Sequence, residues 1–295
     1  MSAHRAGFAC FVGRPNAGKS TLTNALVGSK VAITSTRPQT TRHAVRGVVH
    51  LPDAQLVIID TPGLHKPQTL LGQRLNDIVR TTWSEVDVIG FCVPADQPVG
   101  RGDEFIAREL RAVRTPVVAI LTKTDTVDSD RVGTQLLALS ALGDWAEVVP
   151  VSAVTTFQLD VLRELLVARL PAGPALYPAG DLSDEPELVM VGELIREAAL
   201  EGVHDELPHS IAVVVEEMVA RPERELVDVR ADLYVERDSQ KGIVIGVGGE
   251  RLRRVGSAAR VQIERLLGSR VHLDLHVKVA KDWQRDPRQL RRLGF

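Results

Sequence analysis

Residues 13–20 read GRPNAGKS, which matches the phosphate-loop pattern G-x-x-x-x-G-K-[ST]. The apolar run GFACFVG (7–13) precedes the motif and a helix-like stretch follows it, as the pattern requires. The glycines let the backbone curl so that its amides face phosphates, Lys19 reaches the outer phosphates, and Ser20 offers a hydroxyl to Mg²⁺. A glycine-rich turn without a ligand is the alternative, and the strand, the spacing and the Lys-Ser pair together argue against it. The predicted nucleotide contacts in this loop are Gly13, Asn16, Ala17, Gly18, Lys19, Ser20 and Thr21.

Around this loop, residues 7–170 alternate short apolar runs with helix-like stretches. Strands of nearly continuous Val, Ile and Leu with helices between them are typical of a mostly parallel sheet covered on both faces. The sequence therefore predicts an α/β domain over 1–172. Its strand candidates are 7–13, 43–50, 55–60, 87–93, 116–122 and 147–152, and its helix candidates lie near 18–28, 72–84, 102–113, 130–142 and 157–170.

A segment rich in Pro, Gly and Ala interrupts both periodicities at 170–186, where the chain reads LPAGPALYPAGDLSDEP. We therefore predict a linker at 173–186. Beyond it the pattern changes to α+β, which predicts a second domain at 187–280 followed by a basic tail at 281–295.

The charge distribution is uneven, although the net charge is only −2. Acidic residues outnumber basic ones by 13 to 4 over 186–236, and basic residues outnumber acidic ones by 14 to 6 over 237–295. The basic half predicts a polyanionic partner, and a solvated basic surface is the alternative.

Composition also argues against export and membrane insertion. Apolar runs stay well below the roughly 18 residues that a membrane span needs, and the chain opens without a charged-then-apolar leader, so we expect a cytoplasmic protein. Cys10 and Cys92 lie in apolar strand-like runs, which predicts core thiols in a reducing compartment rather than a metal site.

The second motif, DTPG at 60–63, ends the strand candidate QLVIID. An Asp there is placed to hold a magnesium shell, and Gly63 can turn its N–H toward a γ-phosphate. Between the two motifs, the pair Thr40-Thr41 lies in a polar stretch, where a threonine would complete the magnesium shell when GTP is bound; Thr41 is the preferred ligand. Without the other motifs, this stretch would be interpreted as a plain surface loop. The predicted metal ligands are Ser20, Thr41 and Asp60, and the catalytic residues that these motifs predict are Lys19, Thr41 and Gly63.

The third motif, TKTD at 122–125, ends the strand candidate PVVAILT. The Asp125 carboxylate can accept both donors on the guanine edge, so it favours GTP over ATP. Lys123 can lie along the face of the base. SAV at 152–154 can supply a backbone N–H to the guanine oxygen, which assigns Ser152 and Ala153 to the same site. A capped loop is the alternative for TKTD by itself, and the ordered set of motifs argues against it.

These elements together resemble the bacterial Era family, a Ras-like GTPase domain followed by a type II KH domain. The resemblance covers nearly every residue from 7 to 293. It implies GTP and GDP as ligands, GTP hydrolysis, a cytoplasmic monomer with some attachment to the inner membrane face, and binding of small-subunit ribosomal RNA near its 3′ end during assembly of the 30S-type subunit. The blocks that carry it are GRPNAGKSTL, RPQTTRH (37–43), IIDTPGLHKP (58–67), DELPHS (205–210), YVERDSQKGIVIG (234–246) and HVKVAKDW (276–283).

Two positions of the nucleotide site bear on turnover and affinity. Leu64 occupies the place of the water-orienting Gln of Ras-like proteins, and a leucine cannot orient water. The family resembles GTPases that use a monovalent cation held partly by an Asn, and Asn16 matches that position, so we expect K⁺ to speed turnover and Na⁺ not to. Thr122 stands where the family usually has Asn, so we expect it to brace the base loop only in part.

The resemblance also predicts RNA contacts around a GXXG turn, which clamps a nucleic-acid backbone. Val247 replaces the Lys that is common in this turn, so one phosphate contact is lost. Two alternatives stay open: the KH domain contacts other RNA, a protein or the membrane, or the chain binds RNA under nucleotide control with negligible turnover. The predicted RNA-binding residues are Lys241, Gly246, Val247, Gly248, Gly249, Arg251, Arg253 and Arg254.

Overall fold

A computed structural model describes residues 4–35, 37, 40–64, 67–203 and 207–295. These residues form two compact units, the first built mainly from the chain up to Asp184 and the second mainly from Glu185 onward. Within these ranges, the helices fall short of the length or the apolar character that a membrane-spanning segment needs. Parts of the blocks RPQTTRH, IIDTPGLHKP and DELPHS, at 38–39, 65–66 and 205–206, lie outside the described residues.

The first unit is built on a mostly parallel sheet, as predicted. Its strands are β1 (Arg5–Val12), β2 (Val45–Leu51), β3 (Ala54–Asp60), β4 (Val88–Pro94), β5 (Val117–Thr122) and β6 (Glu147–Pro150). In the described chain they pair in the order β2-β3-β1-β4-β5-β6, with β2 antiparallel to β3 and the other pairs parallel. Every residue of β3, β4 and β5 is buried, because helices cover both faces of the sheet.

Helices divide into two layers around this sheet. They are α1 (Lys19–Val27), α2 (Leu70–Glu85), α3 (Arg101–Leu110), α4 (Ser129–Ser140) and α5 (Leu159–Val167). Apolar residues of α1 and α5 pack on one face, including Leu22 and Leu162. Apolar residues of α2, α3 and α4 pack on the other, including Trp83, Ile106 and Leu139. The predicted helix positions therefore correspond to a two-sided core.

The motifs come together at one edge of the sheet. The phosphate loop follows β1, DTPG begins at the last residue of β3, and TKTD begins at the last residue of β5. Because these strands are parallel, their carboxyl ends lie at the same edge, which is where open α/β sheets bind ligands.

The second unit is the predicted α+β domain. Its elements are α6 (Glu187–Leu200), α7 (Leu207–Ser210), β7 (Ala212–Arg221), β8 (Leu226–Val235), α8 (Asp238–Ile245), α9 (Glu250–Leu267), β9 (Arg270–Val279) and α10 (Pro287–Arg292). In the described chain, three strands pair in the order β7-β8-β9, with β7 antiparallel and β9 parallel to β8. The last five residues of β8, Ala231–Val235, are all buried.

The segment predicted as a linker lies along an edge of the first unit's sheet. The Leu182 carbonyl accepts a hydrogen bond from the backbone N–H of Val48 in β2 at 2.9 Å. The Gln55 side chain accepts from the backbone amides of Leu176 and Tyr177 at 2.6 and 2.9 Å. The bond to Val48 pairs part of β2, which would otherwise present an unpaired edge.

The segment predicted as a basic tail is folded onto the second unit. Trp283 is fully buried, donates from its indole nitrogen to the Ser210 carbonyl at 3.0 Å, and stacks on Phe295 at 5.5 Å between ring centroids. Leu290 and Leu293 are buried beside it, while the arginines of α10 remain exposed.

Candidate nucleotide site and candidate RNA groove

The phosphate loop has the backbone curl that its glycines predict. Gly18 has φ 85° and Asn16 has φ 62°, both in the left-handed region that Gly and, less often, Asn adopt. A Cβ at Gly13 would lie 2.5 Å from the Cys92 carbonyl oxygen, so only glycine lets the loop pass this close to β4.

Lys19 is buried at the base of this loop. Its Nζ donates to the carbonyl oxygens of Gly13 and Arg14, both at 3.3 Å. Burial lowers the pKa of Lys19, and the negative charge of Asp60 opposes that shift. A buried ammonium beside curled backbone amides is suited to binding phosphate oxygens.

Ser20, Thr41 and Asp60 converge, although they come from three different segments. The Ser20 hydroxyl donates to Asp60 Oδ2 at 2.6 Å, the Thr41 hydroxyl donates to the same oxygen at 3.0 Å, and the two hydroxyl oxygens lie 3.0 Å apart. The neighbouring Thr40 hydroxyl instead donates to the Arg37 carbonyl at 2.7 Å. The structure therefore brings together the three residues that were predicted as metal ligands.

The donor set fits Mg²⁺. Burial raises the pKa of Asp60, and hydrogen bonds from Ser20 and Thr41 together with the charge of Lys19 oppose that shift. Among the described residues, Asp60 Oδ1 is buried without a hydrogen-bond partner. A buried carboxylate oxygen next to two hydroxyls offers the hard oxygen ligands that Mg²⁺ prefers.

The DTPG segment lies directly against the phosphate loop. A Cβ on Gly63 would come within 2.9 Å of the Pro15 nitrogen, so a side chain there would push the two loops apart. The backbone N–H of Leu64 donates to the Gly13 carbonyl at 3.3 Å. The Leu64 side chain is 3% exposed and packs in the sheet core, so it cannot orient a water molecule.

The base-reading residues form a second cluster at the same edge. The Ser152 hydroxyl donates to Asp125 Oδ1 at 2.6 Å, and Ser152 is fully buried. This bond orients the carboxylate that was predicted to read guanine. Ala153 follows Ser152 directly in the chain. The Lys123 ammonium pairs with Asp96 at 3.0 Å.

Thr122 links the base-reading segment to the phosphate loop. Its buried hydroxyl donates to the Ala17 carbonyl at 2.7 Å and lies 3.4 Å from the Val93 carbonyl oxygen. A hydroxyl carries one hydrogen whereas an Asn amide carries two, so Thr122 supplies half the donors that Asn would.

Sequence reasoning missed three residues of this site. Arg14 in the phosphate loop places its Nε 3.2 Å from Oδ1 of Asp103 in α3, and Asp96 pairs with Lys123. The signal that could have found Asp96 is position, because it lies just beyond the carboxyl end of the parallel strand β4, whereas Asp103 lies farther on, in the first turn of α3.

The GVGG turn of the second unit separates α8 from α9. Gly246, Gly248 and Gly249 have φ of 74°, 58° and 77°, which a side chain would oppose. A Cβ at Gly246 would also lie 2.7 Å from the Arg251 Cβ. Val247 projects from the tip of the turn and is 93% exposed.

The cations predicted to bind RNA have different surroundings. The Arg251 guanidinium donates to the carbonyls of Ala199, Glu201 and Gly202 at 3.4, 2.7 and 3.3 Å, so it caps the end of α6. Burial lowers the pKa of Arg251, and the nearby Arg254 adds to that shift. Arg253 is exposed and donates to the carbonyl of Gly248 in the turn. Lys241 is half-buried and Arg254 is exposed.

A groove of about 900 Å³ lies beside this turn, between α9 and the strands. Its floor is apolar, and includes Leu252, Leu273 and Leu275. Its rim is cationic, because it carries five arginines, of which the sequence reasoning singled out Arg253. The arginines that line the groove are Arg221, Arg224, Arg253, Arg260 and Arg270.

The fold and these two sites define a phosphate-loop GTPase joined to a KH-type domain. A family model described as a 50S ribosome-binding GTPase matches residues 8–123, and a KH domain model matches residues 206–284. A GTPase Era from Streptomyces coelicolor is 70% identical to this chain, and the alignment covers 99% of this chain and 95% of the relative. The chain belongs to the GTPase Era family.

Solved structures agree with this membership. A variant of Aquifex aeolicus Era bound to GDP and AlF4⁻ has a TM-score of 0.94 and 34% identity, and the match covers 98% of this chain and 99% of that one. Era in complex with MgGDPNP and nucleotides 1506–1542 of 16S ribosomal RNA has a TM-score of 0.95 and 34% identity over 99% of each chain. The resemblance and the fold are confirmed, and the protein is a GTPase, which argues against the alternative of negligible turnover.

Proposed function

We propose that this GTPase hydrolyses Mg²⁺-bound GTP to GDP and phosphate, and that its nucleotide state controls how its KH domain binds small-subunit ribosomal RNA during subunit assembly. The observation that carries the proposal is the arginine-rimmed groove beside the GVGG turn, in the same chain as a complete nucleotide site. The relative that was solved with MgGDPNP and nucleotides 1506–1542 of 16S ribosomal RNA supports it.

The nucleotide half of the proposal rests on residues with separate tasks. Lys19 and the loop amides bind the phosphates, and the Asp60 carboxylate with its two hydroxyl neighbours would hold Mg²⁺, which supplies charge neutralisation on the phosphates. Asp125, oriented by Ser152, selects guanine.

Turnover needs a group other than Leu64 to support hydrolysis. Asn16 stands in the curled phosphate loop, and a K⁺ ion there would add positive charge near the developing phosphate charge. We expect phosphate release to be faster in KCl than in NaCl of equal ionic strength. Asn16→Ala should remove that difference; equal rates of the native protein in both salts would reject a role for K⁺.

The RNA half of the proposal follows from the groove. Its arginines supply positive charge for phosphates, and its apolar floor suits the faces of unpaired bases. Arg253, in the first turn of α9, donates to the Gly248 carbonyl of the GVGG turn, so it can supply charge that Val247 lacks. KH domains bind about four nucleotides in this way.

The experiment measures binding of RNA nucleotides 1506–1542 by fluorescence anisotropy with GDPNP, with GDP and without nucleotide. A composition-scrambled RNA is the control ligand. We expect the native RNA to bind more tightly than the scrambled one, and binding with GDPNP and GDP to differ by about fivefold or more. Arg253→Gln should weaken binding, while Arg265→Gln, an exposed arginine of α9 outside the groove, should not. Equal binding of both RNAs in every nucleotide state would reject the proposal.

A second candidate is favoured by one observation. Val247 is apolar and 93% exposed at the tip of the turn, which suits contact with other RNA, a protein or a membrane surface better than contact with phosphate. Val247→Lys separates the two candidates, because it tightens RNA binding if the tip faces phosphate and leaves it unchanged otherwise. We infer a cytoplasmic monomer in either case, and attachment to the inner membrane face stays a prediction from the family resemblance.

A further inference from the structure

The connection between β4 and α3, together with the first turn of α3, reaches both parts of the nucleotide site. The backbone N–H of Ala95 donates to the Thr122 carbonyl at 2.9 Å. Asp96 pairs with Lys123 in the base-reading motif at 3.0 Å. Farther along, Asp103 faces Arg14 in the phosphate loop at 3.2 Å. The motifs do not include this segment, although it touches two of them.

Asp103 uses its two oxygens for different contacts. Oδ2 accepts the backbone N–H of Gly100 at 3.0 Å, which caps the start of α3. Oδ1 faces Arg14 Nε and takes no part in that cap. Asp103 is fully buried, and burial raises its pKa, while the Gly100 bond and the Arg14 charge oppose the shift. A buried carboxylate of this kind needs its cation, so the pair resists separation.

Arg14 transmits this restraint to the phosphate-binding groups. It follows Gly13, and the carbonyls of both residues accept hydrogen bonds from Lys19 Nζ. Pro15, the next residue, is the one that Gly63 packs against. Fixing the Arg14 side chain therefore fixes the turn that positions Lys19 and the loop amides.

Asp96 acts on the base-reading side in a weaker way. The Asp96 and Lys123 side chains are 31% and 30% exposed, so water screens the pair. Lys123 has φ 57°, and its Cγ lies 4.0 Å from the position of a Cβ on Gly18. The pair with Asp96 thus holds the lysine beside the phosphate loop.

We propose that Asp103 and Asp96 are positioning residues for guanine nucleotide binding, Asp103 through Arg14 and Asp96 through Lys123. Neither carboxylate touches the nucleotide in this assignment. Asp103 holds the first turn of the phosphate loop, and Asp96 holds the lysine of the base-reading loop. The connection between β4 and α3 thereby keeps the two halves of the site at a fixed distance.

The test measures dissociation of fluorescent mant-GDP from the full chain in the presence of Mg²⁺. Asp103→Asn keeps an oxygen for the Gly100 cap and loses the charge. We expect it to speed dissociation about tenfold, and Arg14→Gln to do the same, because each leaves a charged partner uncompensated. The double variant should be no worse than either single variant, since both remove one interaction.

Two matched controls separate positioning from helix capping and from surface charge. Asp128→Ala removes the side-chain cap of α4, in which Asp128 accepts the Arg131 N–H at 2.8 Å, and should lower the melting temperature without changing dissociation. Asp96→Asn should speed dissociation about two- to fivefold, while Asp130→Asn, an exposed carboxylate of α4, should leave it unchanged.

The result that would overturn the assignment is independence of the pair. If the effects of Asp103→Asn and Arg14→Gln on dissociation multiply in the double variant, Asp103 does not act through Arg14. If Asp103→Asn lowers the melting temperature without changing dissociation, Asp103 supports the fold alone, and either result refutes the proposed role. If Asp103→Asn does not fold, Arg14→Gln carries the test, and native dissociation of mant-GDP from that variant refutes the Asp103 role. Unchanged dissociation from Asp96→Asn refutes the Asp96 role.

Discussion

Replacing Thr122 with Val isolates the bond between the base-reading segment and the phosphate loop. Val keeps the shape of Thr and exchanges the hydroxyl for a methyl group. Thr122 is 3% exposed, its hydroxyl donates to the Ala17 carbonyl at 2.7 Å, and Ala17 is itself fully buried. The variant therefore removes a hydrogen bond to a buried acceptor with little change in packing.

The magnitude follows from the burial of both partners. Removing the donor should lower the free energy of unfolding by about 1–3 kcal/mol, which for a unit of this size is about 2–4 °C of melting temperature per kcal/mol. The free energy of nucleotide binding can fall by at most the same amount. That limit is reached if the lost hydrogen bond stabilises only the nucleotide-bound conformation of the phosphate loop. GDP affinity should therefore fall by no more than about 150-fold.

The assay combines differential scanning fluorimetry with titration of mant-GDP. Thr122→Ser is the matched control, because it keeps the hydroxyl and loses the methyl group. We expect Thr122→Val to lower both the melting temperature and GDP affinity, and Thr122→Ser to retain most of the affinity. The reasoning is refuted if Thr122→Val binds GDP like the native protein and melts at the same temperature, or if Thr122→Ser is equally damaged.

Further predictions concern charge and burial elsewhere. Because burial raises the pKa of Asp60, Asp60→Asn should raise the melting temperature of protein without nucleotide and abolish Mg²⁺-dependent GTP binding; a lower melting temperature would contradict this. Burial raises the pKa of the Cys92 thiol from 9.0 to about 12. The free energy of unfolding should therefore hold its full contribution from the neutral thiol below pH 9 and lose it as the pH rises toward 12. Urea unfolding of Cys92→Ala should accordingly lose less stability above pH 9 than the native protein does. Arg251→Gln should lower the stability of the second unit and leave the salt dependence of RNA binding unchanged. Arg253→Gln should reduce the slope of log K against log salt concentration by about one. Equal slopes for the two variants would contradict the inference that only Arg253 contacts RNA phosphate.

Local patterns predicted the parts of the site that depend on local geometry. Gly18 was predictable because a phosphate loop needs a left-handed backbone there, and Asp60 because it ends a buried strand. Thr41 lies in a stretch without regular structure, so its selection depended on the other motifs and not on any periodicity of its own. Thr41 and Ser20 both donate to one oxygen of Asp60, which is a feature of the tertiary structure. The order of the motifs along a parallel sheet was nevertheless enough to predict it.

Charge alone predicted less, because it does not tell where a side chain points. Arg251 and Arg253 are two residues apart and are equally basic, yet Arg251 caps α6 and Arg253 donates to the GVGG turn. Arg14 and Asp103 are 89 positions apart, and nothing in the spacing of either residue indicates the other. Such pairs depend on how helices are placed over the sheet, which hydrophobic periodicity does not specify in enough detail.

The arrangement of braces indicates where nucleotide affinity originates. Thr122 holds the phosphate loop at Ala17, near its end, while Asp103 holds it at Arg14, near its start. A loop fixed at both ends loses little conformational entropy when phosphates bind, so more of the attraction of its amides and lysine remains as binding free energy. Because the two braces hold different points and share no partner, loss of one leaves the other in place. Their main effect should then be on how long the nucleotide stays bound rather than on how fast it arrives, since association is limited by encounter and dissociation by the contacts that must break.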